Sequence, residues 1–585
     1  MRYLVLAVDY DETLADRGLV APATLEALER VRASGRRLLL VTGRQLDDLL
    51  HVFPEAGRFD LVVAENGALL YEPATRETRL LGEPPPATFL DELARRGVSP
   101  LSSGRVIVAT HRPNETIVLE AIRDLGLELH VIFNKGAVMV LPAGVNKGSG
   151  LLAALHRLGL SRHNVVGVGD AENDHAFLGL CECAVAVANA LPMVRQRADL
   201  VTERSNGAGV VEVAERLLAD DLASAEPRLA RHHLILGETA DGAPVTLPPY
   251  GVNLLVAGTS GSGKSRIAAA LLEQLLERDY QFCVIDPEGD YERFEGAVVL
   301  GDRDHPPPLA EVSDVTRKPD GNVVINLLGV PLHDRPAAFQ AVLARVLELR
   351  TRTGRPHWVA IDEAHHVLPA SRPPSALGLP PRLQGFLLVT VHPERIARPV
   401  LDAIDLVVAL GAAPEETLAA FAAATDRSLA GPRASERSSR GPDDRRSDSA
   451  GALAPGEALL WRPREGREPL RIRTAAPRAD RPRHRRKYAE GELGPDRSFY
   501  FRGPDGRLNL RAQNLSLFLQ LAEGVDDATW LHHLRRGDYS RWFREAIKDD
   551  SLADAARAIE QLDLPAAQSR ARIRAAIEER FGPGA

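Results

Sequence analysis

The chain reads as an α/β protein: a Rossmann-like, doubly wound sheet carrying a small α+β insertion, then a second α/β sheet, then a helical C-terminal unit. Three stretches predict this: Tyr3 to Val8, Leu254 to Ala257 and His357 to Ile361. Each is an uninterrupted apolar run of strand length, the pattern of a parallel strand buried on both faces. Each also stops abruptly in acidic or glycine-rich residues, at Asp9-Tyr10-Asp11, Gly258-Thr259-Ser260-Gly261 and Asp362-Glu363. Ligand chemistry in open parallel sheets gathers at such carboxyl ends. At 585 residues the chain has room for three or four units of about 150 residues each.

Composition narrows the function classes. A formal net charge of -8 gives no global attraction to nucleic acid or anionic lipid. Three cysteines exclude a disulfide framework and point to a reducing compartment. Cys181 and Cys183 lie in the small, apolar stretch Leu180 to Ala190, so they read as buried residues and not as metal ligands. The apolar run after Met1-Arg2 ends at Asp9, too short for a signal peptide. No apolar segment reaches the roughly 18 residues that span a bilayer. The expectation is a cytoplasmic protein without a membrane partner.

Taken in order, residues 1–220 form the first unit. Tyr3 to Val8 ends at Asp9-Tyr10-Asp11-Glu12-Thr13; Arg37 to Val41 runs into Thr42-Gly43-Arg44; Lys147 opens a helix after Asn146; and Val165 to Val168 runs into Gly169-Asp170-Ala171-Glu172-Asn173-Asp174. Between about 83 and 145 an insertion holds a helix from Ala87 to Arg96, a strand from Val106 to Ala109, a helix from Glu115 to Leu125, and strands Glu128 to Phe133 and Ala137 to Leu141.

Over roughly residues 1–215 these motifs, with the Asn66-Gly67 turn and Ala188-Asn189-Ala190, resemble the haloacid dehalogenase superfamily of phosphatases, in particular its Cof-type branch. The resemblance implies that Asp9 is the nucleophile, taking the phosphoryl group as an aspartyl-phosphate, and that Asp11 is general acid and then base. It implies that Thr42 and the Gly43 N–H bind the phosphate and that Lys147 neutralises its oxygens. Asp170 would anchor Mg²⁺ together with the Asp9 carboxylate and the Asp11 carbonyl, and Asp174 would support that metal. The chemistry asks for such a set, because a carboxylate attacking a dianion is repelled unless a hard cation and an ammonium cancel the charge. Glu12 stands where such proteins commonly have glycine, which stiffens the turn and adds a negative charge. The insertion would be the cap facing the leaving group. Ser102, Ser103, Arg105, His111 and Arg112 are polar enough to line it, although solvated loop positions explain them as well. The implied substrate is a small phosphorylated metabolite.

The second unit spans 229–425. His233 to Gly237, Asp241-Gly242 and Val245 to Leu247 read as a hairpin leading into the phosphate loop Gly258-Thr259-Ser260-Gly261-Ser262-Gly263-Lys264-Ser265. Its glycines let successive N–H groups converge on one phosphate. Lys264 would sit on the terminal phosphates of ATP, Ser265 would hold Mg²⁺, and the following helix would present its positive end. Asp362, after the strand His357 to Ile361, would bind the Mg²⁺ through water, with Glu363 orienting the attacking water. With Asp286-Pro287-Glu288-Gly289-Asp290-Tyr291 after the strand Gln281 to Ile285, this combination resembles the HerA and FtsK group of ring-forming ATPases over about 190 residues. That resemblance implies a homo-oligomeric ring pulling DNA or protein. Glu288 and Asp290 replace the usual His and Glu, and Val391-His392-Pro393 stands where a glutamine-type sensor is common. Arg395 or Arg398 would be a finger across a subunit boundary, or simply a solvated side chain.

Residues 426–456 are rich in Ser, Arg, Pro, Asp and Gly and read as a disordered linker. Within 457–497, Ala458 to Trp461 and Leu470 to Arg473 would add two strands to the second sheet. The basic run Arg478 to Lys487 would be a tether or a contact to nucleic-acid backbones. In 498–585 a short hairpin precedes helices whose aromatic residues recur at helical spacing, a small core suited to interaction or assembly. His532 and His533 point about 100° apart on their helix and lack companion ligands. Two functional readings follow. One is a Mg²⁺-dependent phosphomonoester hydrolase joined to an ATP-binding and ATP-hydrolysing domain; the other is an ATP-driven DNA or protein translocase with the phosphatase accessory to it or processing nucleic-acid phosphates.

Overall fold

The computed structural model describes the chain except residues 225–228, 332, 373–378, 381–382, 430–452, 479–492, 494–496, 507, 548 and 582–585. Most of the expected linker and nearly all of the basic run therefore lie outside the described residues.

The first sheet has eight strands in the order Leu200–Val201, Cys183–Ala186, Val165–Gly169, Val5–Asp9, Arg37–Val41, Leu61–Ala64, Leu69–Glu72 and Glu77–Leu80. The first six run parallel, and the last two follow as antiparallel pairings, Leu61–Ala64 with Leu69–Glu72 and Leu69–Glu72 with Glu77–Leu80. Val5–Asp9 is buried at every position, which is why its sequence is apolar without alternation. The chain winds outward from this strand in both directions, so the carboxyl ends of Val5–Asp9, Arg37–Val41 and Val165–Gly169 line one crevice. Cys181 and Cys183 are buried at the amino end of the strand Cys183–Ala186, and burial pushes the Cys181 thiol up to about 12.

The insertion folds as a four-stranded antiparallel sheet, Ser102–Ser103, Val108–His111, Ala137–Pro142 and Leu129–Asn134. Helices Ala87–Arg95 and Glu115–Asp124 cover it through Phe89, Leu93, Val118 and Ile122. The strand expected at Val106 begins instead at Val108. The Glu65 carboxylate takes the N–H groups of Arg105, Val106 and Ile107 at 2.9, 2.7 and 3.0 Å, and amides bound to a side chain cannot also serve a strand ladder.

The second sheet has eleven strands, ordered Pro244–Leu247, Leu234–Glu238, Leu470–Thr474, Glu457–Trp461, Leu406–Leu410, Leu254–Gly258, Phe386–Thr390, Trp358–Ile361, Phe282–Asp286, Val323–Asn326 and Val298–Leu300. Leu254–Gly258 lies in its middle, between two parallel neighbours. Beyond these, Phe499–Phe501 pairs with Leu510–Ala512. Five helices from Leu515 to Phe581 close over Phe501, Phe518, Trp530, Tyr539 and Phe543. His533 is buried and bonded to Asp538 at 2.8 Å. No helix among the described residues is long and apolar enough to cross a membrane.

The two sheets meet at a buried polar hub. Glu182, 1 % exposed, faces Arg2 at 2.5 Å, His163 at 2.7 Å and the donating Tyr280 hydroxyl at 2.6 Å. His163 also contacts the Arg278 carbonyl at 2.6 Å, just past the helix Lys264–Glu277 that begins at the glycine-rich loop. Arg355 donates to the Gly159 carbonyl at 2.6 Å. A buried carboxylate is tolerated when its lone pairs are filled in this way.

Candidate active sites

Adjacent strands and one helix build the first site. Asp9 ends its strand in register with Val41, and Val8 is in register with Val168, so Asp9, Thr42 and Asp170 emerge side by side. Helix Lys147–Leu158 starts under a capping box. The Asn146 side chain accepts from the Gly148 and Ser149 N–H groups, and Ser149 Oγ accepts from the Asn146 N–H. The helix start packs so closely on Gly67 (φ +103°) that a Cβ there would lie 1.9 Å from the Asn146 carbonyl oxygen. That is what the Asn66-Gly67 turn requires of its glycine.

The resulting network is buried. Lys147, 1 % exposed, donates to Asp9 Oδ1 at 2.5 Å and to Asp174 Oδ1 at 2.6 Å. Asp174 Oδ2 accepts the Asp170 and Ala171 N–H groups at 2.8 and 2.9 Å. Asp170 accepts from Thr13 Oγ1 at 3.1 Å and from Lys135 Nζ at 2.6 Å. Thr42 is fully buried and its hydroxyl accepts the Arg44 N–H at 3.1 Å. Burial, then repulsion from Asp174, pushes the Asp9 carboxyl well above the ordinary carboxylate range. Burial works against the Lys147 ammonium, but Asp174 and Asp9 overcome it and hold its pKa above the ordinary lysine value. Burial and Asp174 likewise raise Asp170. Carboxylate oxygens of Asp9, Asp170 and Asp174 all lie within 4.8 Å of one another. This all-oxygen donor set suits a hard cation such as Mg²⁺.

Of the residues expected here, Asp9, Lys147, Asp170 and Asp174 are brought into one bonded cluster, with Thr42 and Gly43 at the neighbouring strand end. The Asp11 carboxylate stands apart from it. Arg44 grips it, Nη2 at 2.7 Å from Oδ1 and Nε at 3.0 and 2.9 Å from the two oxygens, and its side chain is 40 % exposed. Sequence reasoning missed Arg44, Thr13, Glu65 and Lys135. Arg44 and Thr13 adjoin recognised motifs. Lys135, in the cap hairpin, carries no sequence signal that it reaches Asp170. Among the polar cap positions, Ser102 accepts from Gln45 at 2.7 Å and Arg105 reaches Thr78 at 3.0 Å.

The second site is a glycine-rich turn between strand Leu254–Gly258 and helix Lys264–Glu277. Gly258, Gly261 and Gly263 have φ of +153°, +73° and +101°, and a Cβ on Gly258 would lie 2.3 Å from the Leu410 carbonyl oxygen. Ser262 Oγ is buried with no hydrogen-bond partner, and a buried hydroxyl left unpaired calls for one. Lys264 Nζ donates to the Thr259 carbonyl at 2.8 Å; Thr259 is exposed, Ser260 is half-buried, and Ser265 is half-buried in the helix's first turn. One strand separates Leu254–Gly258 from Trp358–Ile361, so Asp362 and Glu363 leave the same edge of the sheet. Asp286 explains the Asp-Pro-x-Gly-x-Tyr stretch, for its carboxylate accepts the N–H groups of Glu288, Gly289 and Tyr291 at 3.1, 2.8 and 2.8 Å. Burial, then Asp290, Glu363, Asp286 and Glu288, pushes Asp362 well above the carboxylate range. Arg398 is engaged within the chain by Asp402 and Asp426, each at 2.9 Å.

Comparison with known proteins finds one family match in each of the two sheets. Residues 6–80 and 105–213 match the haloacid dehalogenase-like hydrolase family, and residues 251–339 match the central domain of helicase HerA. The chain is 32 % identical over 222 residues to a phosphoglycolate phosphatase of Methanothermobacter thermautotrophicus, covering 36 % of this chain and 98 % of that protein. It is 30 % identical over 235 residues to phosphoglycolate phosphatase 2 of Saccharolobus solfataricus, covering 37 % and 93 %. With a phosphoglycolate phosphatase of Haloarcula marismortui it shares 33 % over 216 residues, covering 35 % and 94 %. By this likeness across nearly the whole length of such relatives, the chain belongs to the haloacid dehalogenase-like hydrolases, and it carries a HerA-type central domain behind the hydrolase part.

Proposed function

We propose that residues 1–220 are a Mg²⁺-dependent phosphomonoester hydrolase acting through an aspartyl-phosphate, and that residues 229–425 bind and hydrolyse ATP. The observation that carries the first half is the buried Lys147 ammonium held between Asp9 and Asp174. Asp9 would attack phosphorus as the ester P–O bond breaks, and Asp11 would give its proton to the departing oxygen. Asp11 would then take a proton from the water that cleaves the acyl-phosphate, releasing inorganic phosphate and restoring Asp9. Arg44 must release Asp11 for this, so the Asp11 side chain turns inward during the cycle. Thr42, the Gly43 N–H and Lys147 would hold the phosphoryl oxygens. Asp9, Asp170 and the Asp11 carbonyl would bind Mg²⁺, with Asp174 in support; once bound, Mg²⁺ supplies positive charge against the repulsion between carboxylate and phosphate. In the second domain, Gly258 to Ser265 would cradle ATP, Ser265 and Asp362 would hold its Mg²⁺, and Glu363 would orient water.

The names of the relatives support a small phosphate ester of the phosphoglycolate type as substrate. The HerA-type match supports a second reading, an ATP-driven translocase with the phosphatase accessory. A panel of phosphate esters with and without Mg²⁺, beside ATP turnover with and without DNA at low salt, tests both. Metal-dependent phosphate release that disappears in Asp9→Asn upholds the first reading. Strong stimulation of ATP turnover by DNA, with no ester cleaved, replaces it by the second.

A further inference from the structure

The cap sends one cation into the phosphatase crevice. Strands Leu129–Asn134 and Ala137–Pro142 pair with Asn134 opposite Ala137, leaving Lys135-Gly136 as the turn between them. Both turn residues have positive φ, +46° and +91°. Hairpins of this mirror-image type favour Asn, Asp or Gly at the first position, so a lysine here is conformationally disfavoured and its place calls for a use. Its ammonium lies 2.6 Å from Asp170 Oδ2. Although it tips a hairpin, its side chain is only 40 % exposed, against 1 % for Asp170.

This reach is set by how the cap sits. Glu65, at the end of a core strand, clamps three successive amides of the cap loop before Val108–His111, and Gln45 donates to Ser102 on the cap's outer strand. The crevice thus holds one ammonium from the core, Lys147 on Asp9 and Asp174, and one from the cap, Lys135 on Asp170. The two are not equivalent. Lys147 is enclosed and doubly bonded, whereas Lys135 is bonded through a single contact at the end of a flexible stem.

We propose that Lys135 is a substrate-specificity residue: it occupies the cation position at Asp170 until Mg²⁺ displaces it, and it then pairs with a carboxylate on the leaving group. This rests on the phosphatase reading above and names its substrate class, phosphorylated hydroxycarboxylic acids. A divalent ion on Asp170 repels the ammonium and takes its partner. Lys147 and the metal serve the phosphoryl oxygens, so the group left for a cap-borne cation is an anion on the part of the substrate nearest the cap. A neutral leaving group offers none.

The test uses the full-length protein with Lys135→Asn, which suits the turn and removes the charge, and Lys135→Arg, which keeps it. Two quantities are read: Mg²⁺ affinity of the substrate-free protein by calorimetry, and KM for 2-phosphoglycolate against p-nitrophenyl phosphate. For Lys135→Asn we expect Mg²⁺ to bind several-fold more tightly, and, at saturating Mg²⁺, KM for 2-phosphoglycolate to rise roughly tenfold relative to that for p-nitrophenyl phosphate. Lys135→Arg should recover most of the KM. Unchanged Mg²⁺ affinity together with equal losses on both esters would reduce Lys135 to a structural residue and overturn the proposal. If the parent cleaves p-nitrophenyl phosphate and not 2-phosphoglycolate, the carboxylate assignment falls and the phosphatase reading stands; if it cleaves neither, both fall.

Discussion

In the first pocket the lysine expected on the phosphate is already held by Asp9 and Asp174 at 2.5 and 2.6 Å, whereas in the second Lys264 turns back onto the Thr259 carbonyl of its own loop. The first pocket is a lattice of buried ions in which Asp9, Asp170 and Asp174 each have a donor. In the second, Asp362 sits among Asp290, Glu363, Asp286 and Glu288, a concentration of negative charge that a divalent metal would relieve. A covalent mechanism needs its nucleophile positioned before substrate arrives. A nucleotide site built mainly of main-chain amides can let the ligand complete the charge balance.

The sharpest way to break this comparison is to remove each pocket's key residue alone. Asp9→Asn should lower phosphate-ester cleavage by roughly 10⁴-fold and leave ATP turnover untouched, measured as phosphate release from each substrate separately. Lys264→Ala should lower ATP turnover by roughly 10²- to 10³-fold; if ester cleavage falls in parallel, the two pockets are coupled and not merely joined.

The junction offers a third test. Glu182→Gln removes the charge facing Arg2 and His163 in a buried interface. Breaking a buried pair from one side costs about 3 kcal/mol, so thermal melting should shift down, with the two halves of the molecule separating into distinct transitions. The smallest effect is acidification. Burial holds His232 down to about 4, so the folded protein keeps it neutral while an unfolded chain takes up a proton below about pH 6.5. Stability from this group is therefore complete above pH 6.5 and declines as pH falls toward 4. Glu182 is held below the carboxylate range, burial being overcome by His163 and Arg2, so its contribution is also lost in acid. Melting temperatures between pH 7 and 4 should fall, and at least as steeply in Glu182→Gln, because the Glu182 charge raises His232 against its burial while the contribution of Glu182 itself is lost only below the ordinary carboxylate range.

Much of both pockets was legible because their chemistry is written in contiguous residues. A strand end followed by Asp9-Tyr10-Asp11, or a glycine turn followed by Lys264-Ser265, fixes backbone and ligand groups within a few residues. The cap was legible as alternating helices and strands, but its first long strand starts two residues late because Glu65 claims the amides before it. Asp11 sits two residues after Asp9, yet Arg44, a residue of the neighbouring strand end, turns its carboxylate to the rim. Neither competition is local, so neither leaves a pattern in the order of residues.

By itself the amino-acid sequence determined the fold class, the two turns proposed to bind phosphate and the acidic strand ends, because hydrophobic periodicity and glycine spacing act over short stretches of chain. Only the tertiary structure decided which charges meet: Lys135 with Asp170, Glu65 with the cap loop, Glu182 with Arg2, His163 and Tyr280. The energy of such contacts depends on distance and burial, which are set when separate elements pack together and are not encoded at any one position along the chain.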